Sequence, residues 1–286
     1  MQEFTSCKMA MQSCMDTKTF AVAHLYKEEK TMDMHVHDCY EIYYSISGGK
    51  QFLIDNKFYP IEPGDVFIIN QYESHYITQI ESSVHERIVL SVHPDYVKAL
   101  SEESADLTGC FVKRNPGFSH RVSFTKEQKH DFLYLVNKIV NASDFAHEIT
   151  EKAAFMELLV LLNKAYLKPE EKETAIDTPH YNSQVDEILK FINSNIENDL
   201  RLEDLAKTFH MSESYICRIF KQATGTTVNK YVTARRITIA KALLSSGHAV
   251  SETYEQSGFS DYSSFFKAFT KTVGISPKKY AQCSNK

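Results

Sequence analysis

Hydrophobic positions along the chain follow two different rhythms. From Phe20 to Val92 they come in short blocks rich in β-branched and aromatic residues: Glu41-Ile-Tyr-Tyr-Ser-Ile-Ser, Gln51-Phe-Leu-Ile-Asp, Asp65-Val-Phe-Ile-Ile and Arg87-Ile-Val-Leu-Ser. Gly48-Gly49, Asn56 and Pro63-Gly64 punctuate them. Evenly spaced short strands of this kind predict a β-barrel or a sandwich. From Lys126 to Leu167 the spacing becomes helical, with a break near Asn141 to Asp144. Phe132, Leu135, Val136 and Ile139 share a face of the first helix, and Phe155, Leu158, Leu159 and Leu162 a face of the second. That much apolar surface either forms a dimer interface or covers the barrel mouth.

Beyond a charged, proline-bounded stretch from Lys168 to Pro179, the helical rhythm returns as a repeat. Arg218-x-Phe220-x4-Gly225-x5-Tyr231 recurs 49 positions later as Lys267-x-Phe269-x4-Gly274-x5-Tyr280. Upstream the offset is 48: Leu202, Ala206, His210, Met211 and Ser212 match Val250, Tyr254, Gly258, Phe259 and Ser260. Each copy predicts a short helix, a tight turn and a second helix. Ser212 and Ser260 are placed to cap the second helices at their N-termini, and Gly225 and Gly274 to close them in the left-handed conformation. In the first copy Ile216, Ile219, Phe220 and Ala223 form the buried face, leaving Ser214, Cys217, Arg218 and Lys221 outward. In the second, Phe265, Phe269 and Val273 are buried, and Tyr262, Ser263, Phe266 and Lys267 point out. Short, polar, cationic helix faces suit the major groove of double-stranded DNA. Arg218 matches a bidentate contact to guanine, Ser214 and Ser263 reach bases or phosphates, and Phe266 fits a thymine methyl. Lys221 and Lys271 read as phosphate contacts.

Charge follows the same division. From His180 onward there are 14 Lys and Arg against 10 Asp and Glu, whereas the preceding residues carry 18 against 27. The chain is acidic and its tail is not, which is what a DNA-reading module at one end requires. The 286 residues with 43% hydrophobic content suffice for two ordinary globular domains. Six scattered cysteines without a CxxC pair predict a reduced, cytoplasmic protein. The richest apolar run, Ala153 to Leu167, is interrupted by Glu157, Asn163 and Lys164 and is too short to span a bilayer, so no membrane partner is expected.

The segment Leu202 to Tyr280 resembles the DNA-binding domain of AraC/XylS-type transcription regulators. Their second half typically reads G-F-S-D-x-S-x-F-x-R-x-F-K-x-x-x-G-x-S-P-x-x-Y, and here Gly258-Phe-Ser-Asp-Tyr-Ser-Ser-Phe-Phe-Lys-Ala-Phe-Thr-Lys-Thr-Val-Gly-Ile-Ser-Pro-Lys-Lys-Tyr280 stands in its place. The family's connecting helix matches through Tyr231-Val232, Arg235-Arg236-Ile237, Ala240 and Leu243-Leu244. The resemblance implies two units held rigidly so that each enters one of two successive major grooves. Thr253-Tyr254 replaces the usual Ile-Ala, and Lys267 the usual Arg.

A second constellation lies among the strands. His35-x-His37-x3-Glu41-x6-Gly48, followed by Gly64-x10-His75, looks like the metal motif of cupins, with Asn70 and Tyr72 where that fold usually has Pro and Gly. Strand alternation puts His35 and His37 on one face. Three imidazoles and one carboxylate suit Zn, Fe, Mn or Ni. Cupin-like barrels of regulators also use these positions to hydrogen-bond a small molecule directly, so His35, His37, Glu41 and His75 are candidates for either role. Tyr43, Tyr72, Tyr76 and Arg87 are candidates to stack on, or pair with, an effector.

The resemblances together imply an α+β protein: an arm (1–20) whose polar, Met-rich, patternless sequence reads as flexible or partly docked, a cupin-like sensor barrel (21–125), a helical dimerisation or covering segment (126–168), a linker (169–180) and an AraC-type domain with two helix-turn-helix units (181–286). The function they imply is a transcription regulator, by preference an activator touching RNA polymerase, homodimeric and controlled by a small-molecule effector, by preference a sugar. The competing reading is a metal-dependent cupin enzyme fused to a DNA-binding domain. It is the weaker one, because the chain offers no distinct catalytic acid, base or nucleophile beyond the candidate ligands.

Overall fold

A computed structural model describes residues 3–27, 35–47, 51–55, 57–78, 85–114, 118–167 and 183–284. The Gly48-Gly49 and Asn56 turns and the 169–180 linker lie outside them. The N-terminal half contains α1 (Cys7–Thr17), β1 (Phe20–Lys27), β2 (Tyr40–Ser47), β3 (Gln51–Ile54), β4 (Lys57–Pro60), β5 (Val66–Ile69), β6 (His75–Thr78), β7 (His85–Val92), α2 (Pro94–Leu100), α3 (Gly109–Val112), β8 (Arg121–Val122), α4 (Lys126–Val140) and α5 (His147–Tyr166). The strands form a five-stranded sheet in the order β1-β7-β2-β5-β8 and a three-stranded sheet β4-β3-β6, every pair antiparallel. The described ladders are thus two facing sheets of a cupin-like domain, not one continuous ring.

Side chains alternate across these strands with period two, and both faces are covered. From β2, Tyr40, Ile42 and Tyr44 point outward into a core shared with Ile88, Leu90 and Val92 of β7 and with the helices. Phe132, Leu135, Val136 and Ile139 of α4 and Phe155, Leu158, Leu159 and Leu162 of α5 are all buried in it. The residues that suggested a dimer interface are therefore spent on covering the sheet. Phe155 stacks on Phe20 with centroids 4.0 Å apart, and Tyr44 on Phe132 at 4.7 Å. Helix α4 begins at a capping box: the Thr125 hydroxyl accepts from the Gln128 amide, and the Gln128 side chain accepts from the Thr125 amide.

The opposite face of the strands points between the two sheets. Tyr43, Phe52, Phe67, Ile69, Ile77 and Val89 meet there with Ala10 and Cys14 of α1. Of the two readings of the N-terminal arm, flexible or docked, the docked one describes residues 3–20: Cys7–Thr17 is a helix packed on the barrel, and Phe4 bridges to Ala23. Its sequence lacks a clear amphipathic stripe because small residues, Ala10 and Cys14, make the close contact.

The C-terminal half is all helical: α6 (Ser183–Ser194), α7 (Leu202–Thr208), α8 (Glu213–Thr224), α9 (Val228–Ser245), α10 (Val250–Gln256), α11 (Tyr262–Val273) and α12 (Pro277–Ser284). The pairs α7/α8 and α10/α11 are the two repeats, with α9 between them. Ile237, Ala240 and Leu244 of α9 pack on Phe265, Phe269 and Tyr280, whereas Val228, Tyr231 and Val232 join the core of the first unit. A third stripe of α9 faces the barrel. Arg235 pairs with Asp55 at the tip of the β3–β4 hairpin, Lys241 Nζ lies 2.6 Å from Asp38 Oδ1, and Ser245 Oγ is 3.0 Å from the Tyr72 hydroxyl. Leu53 and Tyr76, which point away from the barrel interior, extend the first unit's core.

Candidate functional site

The barrel site is built by backbone pairing before any side chain is considered. His35 and His75 face each other in an antiparallel bridge, with reciprocal amide-to-carbonyl bonds of 3.2 and 3.1 Å. The Tyr72 amide donates to the His37 carbonyl at 3.1 Å, which ties the turn before β6 to the segment before β2. In consequence His35, His37, Glu41 and His75 converge, and one potential ligand atom from each lies within 4.8 Å of all the others. His37, Glu41 and His75 are buried.

The tautomers are set from behind. His37 Nδ1 donates to the Cys39 carbonyl at 2.9 Å and His75 Nδ1 to the Glu73 carbonyl at 2.8 Å. Both Nε2 atoms consequently face Glu41, at 3.1 and 3.7 Å from Oε2. This is the outer-shell arrangement that metal-binding histidines use to aim a lone pair at an ion. His75 Nε2 is buried without a hydrogen-bond partner among the described residues. An orphaned imidazole nitrogen aimed into a cluster of two further histidines and a carboxylate fits a divalent transition ion.

Without an ion, the Glu41 carboxylate draws protons onto the imidazoles beside it. Burial disfavours charge on His37, but the Cys39 side chain and the Glu41 carboxylate outweigh it and raise the imidazole to about 9. His75 is raised as well, against its burial, by Glu41. Glu41 is held well below the usual carboxylate range: burial opposes this, and the two imidazoles overcome it. An ion entering the cluster displaces these protons.

Of the other candidate effector residues, Tyr43 and Arg87 line the same interior, where Tyr43 Oη is 2.7 Å from His85 Nε2 and Arg87 is 3.2 Å from His85 Nδ1. Tyr72 and Tyr76 are placed differently. The Tyr72 hydroxyl meets Ser245 and Tyr280, and the Tyr76 ring packs beside Gly225 in the helical half, although Tyr76 also borders the interior cavity. Strand alternation explains Tyr76: with His75 inward, its neighbour points out. The cavity among the cluster, Tyr43, Phe52 and Arg87 measures about 10 Å³. That is room for an ion or a single water and not for a sugar.

In the helical half, Ser214, Cys217, Arg218 and Lys221 on α8 are exposed, as are Tyr262, Ser263, Phe266, Lys267 and Lys271 on α11. Ile216, Ile219, Phe220, Phe265 and Phe269 are buried, while Ala223 and Val273 are half-buried. Arg218 lies over the ring of Tyr215 at 5.1 Å, a brace that the sequence pattern alone did not single out. The Ser212 hydroxyl accepts from the Tyr215 amide at 3.2 Å. In the second unit the cap is Asp261, not Ser260: its carboxylate accepts from the Ser264 amide at 2.8 Å. The residue added in the second copy therefore falls before the helix, and Asp261 occupies the place of Ser212. Gly225 and Gly274 end the helices at φ of 67° and 84°.

A family model described as an AraC-like ligand binding domain matches residues 19–159, and one described as a helix-turn-helix domain matches residues 205–282. The chain belongs to the AraC family of transcription regulators. It is 26% identical over 230 residues to the uncharacterized HTH-type transcriptional regulator YbfI of Bacillus subtilis, covering 80% of this chain and 79% of that one. It is 23% identical over 269 residues to the HTH-type transcriptional activator RhaR of Shigella dysenteriae, covering 93% and 92%. Among solved structures, ToxT from Vibrio cholerae matches with 14% identity and a TM-score of 0.38, over 93% of this chain and 100% of that one. This AraC-family chain is thus a DNA-binding transcription regulator with a ligand-binding domain, and not an enzyme. Among the described residues no helix is long and apolar enough to cross a membrane.

Proposed function

We propose that this regulator reads double-stranded operator DNA through α8 and α11 and senses a divalent transition ion, Zn, Fe, Mn or Ni, at His35, His37, Glu41 and His75. One observation carries the sensor reading: the buried Nε2 of His75, which has no hydrogen-bond partner among the described residues, lies 3.7 Å from Glu41 Oε2 in the cluster with His35 and His37. A sugar effector is the second reading. It requires the barrel to open first, because the interior cavity of about 10 Å³ is far below the several hundred that a small-molecule site needs.

Arg218 reads a guanine edge, with Lys267 as its counterpart. Ser214, Cys217, Tyr262, Ser263 and Phe266 line the groove, and Lys221 and Lys271 hold phosphates. Regulation is activation in the cytoplasm through contact with RNA polymerase, in keeping with the activator named among the relatives. The protein acts as a homodimer through the α4–α5 turn, where Tyr134, Phe145 and Ile149 are exposed large hydrophobics.

Metal analysis of the full chain as purified, followed by zinc titration in a calorimeter, tests the sensor. One equivalent is expected for the unaltered protein and none for His75→Ala or Glu41→Gln. If none of the four ions binds, the metal sensor is wrong.

A further inference from the structure

A second polar chain runs through the barrel interior beside the histidine cluster, and its direction follows from which groups can only donate. Arg87 Nη1 lies 3.2 Å from His85 Nδ1, and His85 Nε2 lies 2.7 Å from the Tyr43 hydroxyl oxygen. All three side chains are buried. A guanidinium donates and never accepts, so His85 Nδ1 is the acceptor and the ring proton sits on Nε2. Nε2–H therefore donates to the Tyr43 oxygen. The phenol's own proton is left over, because among the described residues the contact with His85 is the one hydrogen bond that this hydroxyl makes.

The cavity beside the cluster has room for the missing acceptor. Tyr43 borders it with His35, Glu41 and His75, and Phe52 and Val89 close it with apolar surface. His75 Nε2, buried and without a hydrogen-bond partner among the described residues, belongs to the same group of side chains. At about 10 Å³ the space admits one small molecule and nothing larger. The ions that suit the cluster differ in what they leave open. Three imidazoles and a carboxylate complete the tetrahedral shell of zinc, whereas an ion that takes six ligands keeps positions free.

We propose that Tyr43 donates to a diatomic ligand held on a ferrous ion at the cluster, and that His85 and Arg87 fix the direction of its O–H. The proposal rests on the metal reading given under Proposed function and selects iron among its four ions. Ferrous iron passes electron density to a diatomic such as nitric oxide, which gains negative charge. A donor already aimed at that charge, with the Arg87 cation bordering the same cavity, favours the transfer. Donors and steric access on the open side of an iron are what decide small-ligand binding. Tyr43 is thus a specificity-determining residue, and the small cavity restricts the ligand to a few atoms.

The test loads the full chain with ferrous iron in the absence of oxygen and adds nitric oxide. Metal analysis measures iron, optical titration measures nitric oxide affinity, and infrared spectroscopy measures the N–O stretch. The unaltered protein is expected to bind nitric oxide at its iron, with a stretch that moves in D2O because the donated proton exchanges. Tyr43→Phe removes one hydroxyl, keeps the ring and should take up iron equally. Its N–O stretch should lie higher and lose the D2O response, and nitric oxide should bind roughly 2- to 12-fold more weakly, the usual worth of one hydrogen bond. Nitrocatechol, an iron ligand too large for the cavity, should not bind the unaltered protein. The same stretch and D2O response in both proteins, or nitrocatechol bound as readily as nitric oxide, would overturn the site. Iron uptake without nitric oxide binding, or uptake of zinc and not of iron, sinks the diatomic site and leaves the metal sensor standing. Uptake of none of the four ions sinks both.

Discussion

The two helix-turn-helix units follow one backbone plan and bury it in different surroundings. In the first, the amides of Phe209 and Met211 donate to the carbonyls of Leu205 and Ala206; in the second, Ser257 and Phe259 donate to Thr253 and Tyr254, each at 3.0 Å. The turn residue is left-handed in both, His210 at φ 53° and Gly258 at 87°. The cores are unlike. Phe220 sits in a cluster enlarged by Val185, Ile188, Leu189 and Ile192 of α6 and by Leu53 and Tyr76 of the barrel. Phe269 has Ile237, Ala240, Leu244, Phe265 and Tyr280, a core confined to its own unit and α9. A repeat in sequence thus fixes hydrogen bonds and turn geometry, while the neighbours decide how firmly each copy is anchored.

Core deletion is the most forceful way to expose that difference. Phe220→Ala and Phe269→Ala each remove a fully buried ring, with an expected loss of about 3 to 5 kcal/mol. Phe269→Ala should loosen α10 to α12 and leave the first unit protected, whereas Phe220→Ala should also raise hydrogen exchange in α6 and the β3–β6 face of the barrel. Equal, confined exchange patterns in the two variants would erase the claimed asymmetry.

The turns provide a second contrast. A Cβ on Gly258 would run into the Ile196 carbonyl, and the left-handed φ adds to the strain. His210 is exposed and already carries a side chain there. Gly258→Ala should cost about 2 to 3 kcal/mol, against less than about 0.5 kcal/mol either way for His210→Gly. Chemical denaturation of the full chain measures both.

For DNA reading the expected contrast is smaller. Arg218→Ala should weaken binding to a selected site by about 1 to 3 kcal/mol and relax one base position, if its guanidinium, held over the Tyr215 ring, reads a base edge as proposed. Lys267→Ala, which removes a point charge where the family has an arginine, should lose less than Arg218→Ala and relax base preference less. Selection from a random pool with each variant distinguishes the two. A base preference relaxed by Lys267→Ala and not by Arg218→Ala would reverse the assignment.

Much of this was legible in the sequence, because the signals are local. Period-two blocks place strands, period-3.6 blocks place helices, and Gly225 and Gly274 mark helix ends. The convergence of His35, His37, Glu41 and His75 follows the spacing of the motif that they resemble. What depends on tertiary placement was not legible. The rings of Tyr72 and Tyr76, read as pocket aromatics, meet the helices at the junction, and only Tyr76 also borders the interior cavity. Asp38, Asp55 and Lys241 carry no motif, and their partners lie some two hundred residues away in the chain. That the arm forms the helix α1 escaped notice because it packs through Ala10 and Cys14 and not through a broad apolar stripe. The shift of the second cap from Ser260 to Asp261 hinged on where a single added residue falls, which two sequences of equal hydropathy cannot settle.

That shifted cap gives the finest test of the comparison. Ser212 and Asp261 do the same work, accepting the amide three residues on, but one is a hydroxyl and the other a carboxylate. Ser212→Ala should cost the first unit about 1 kcal/mol at any pH. The backbone amide of Ser264, followed by its hydroxyl, holds the Asp261 carboxyl below the usual carboxylate range. A lowered folded-state pKa means that the carboxylate stabilises its helix above the ordinary aspartate range and loses that contribution as pH falls through the lowered value. The charge also favours the positive end of the helix dipole. Near neutral pH, Asp261→Ala should therefore speed amide exchange in the first turn of α11, and the difference from the unaltered protein should shrink on acidification. The Ser212→Ala difference in α8 should not. If the two capping differences kept the same pH profile, Asp261 would not be the working cap of the second unit.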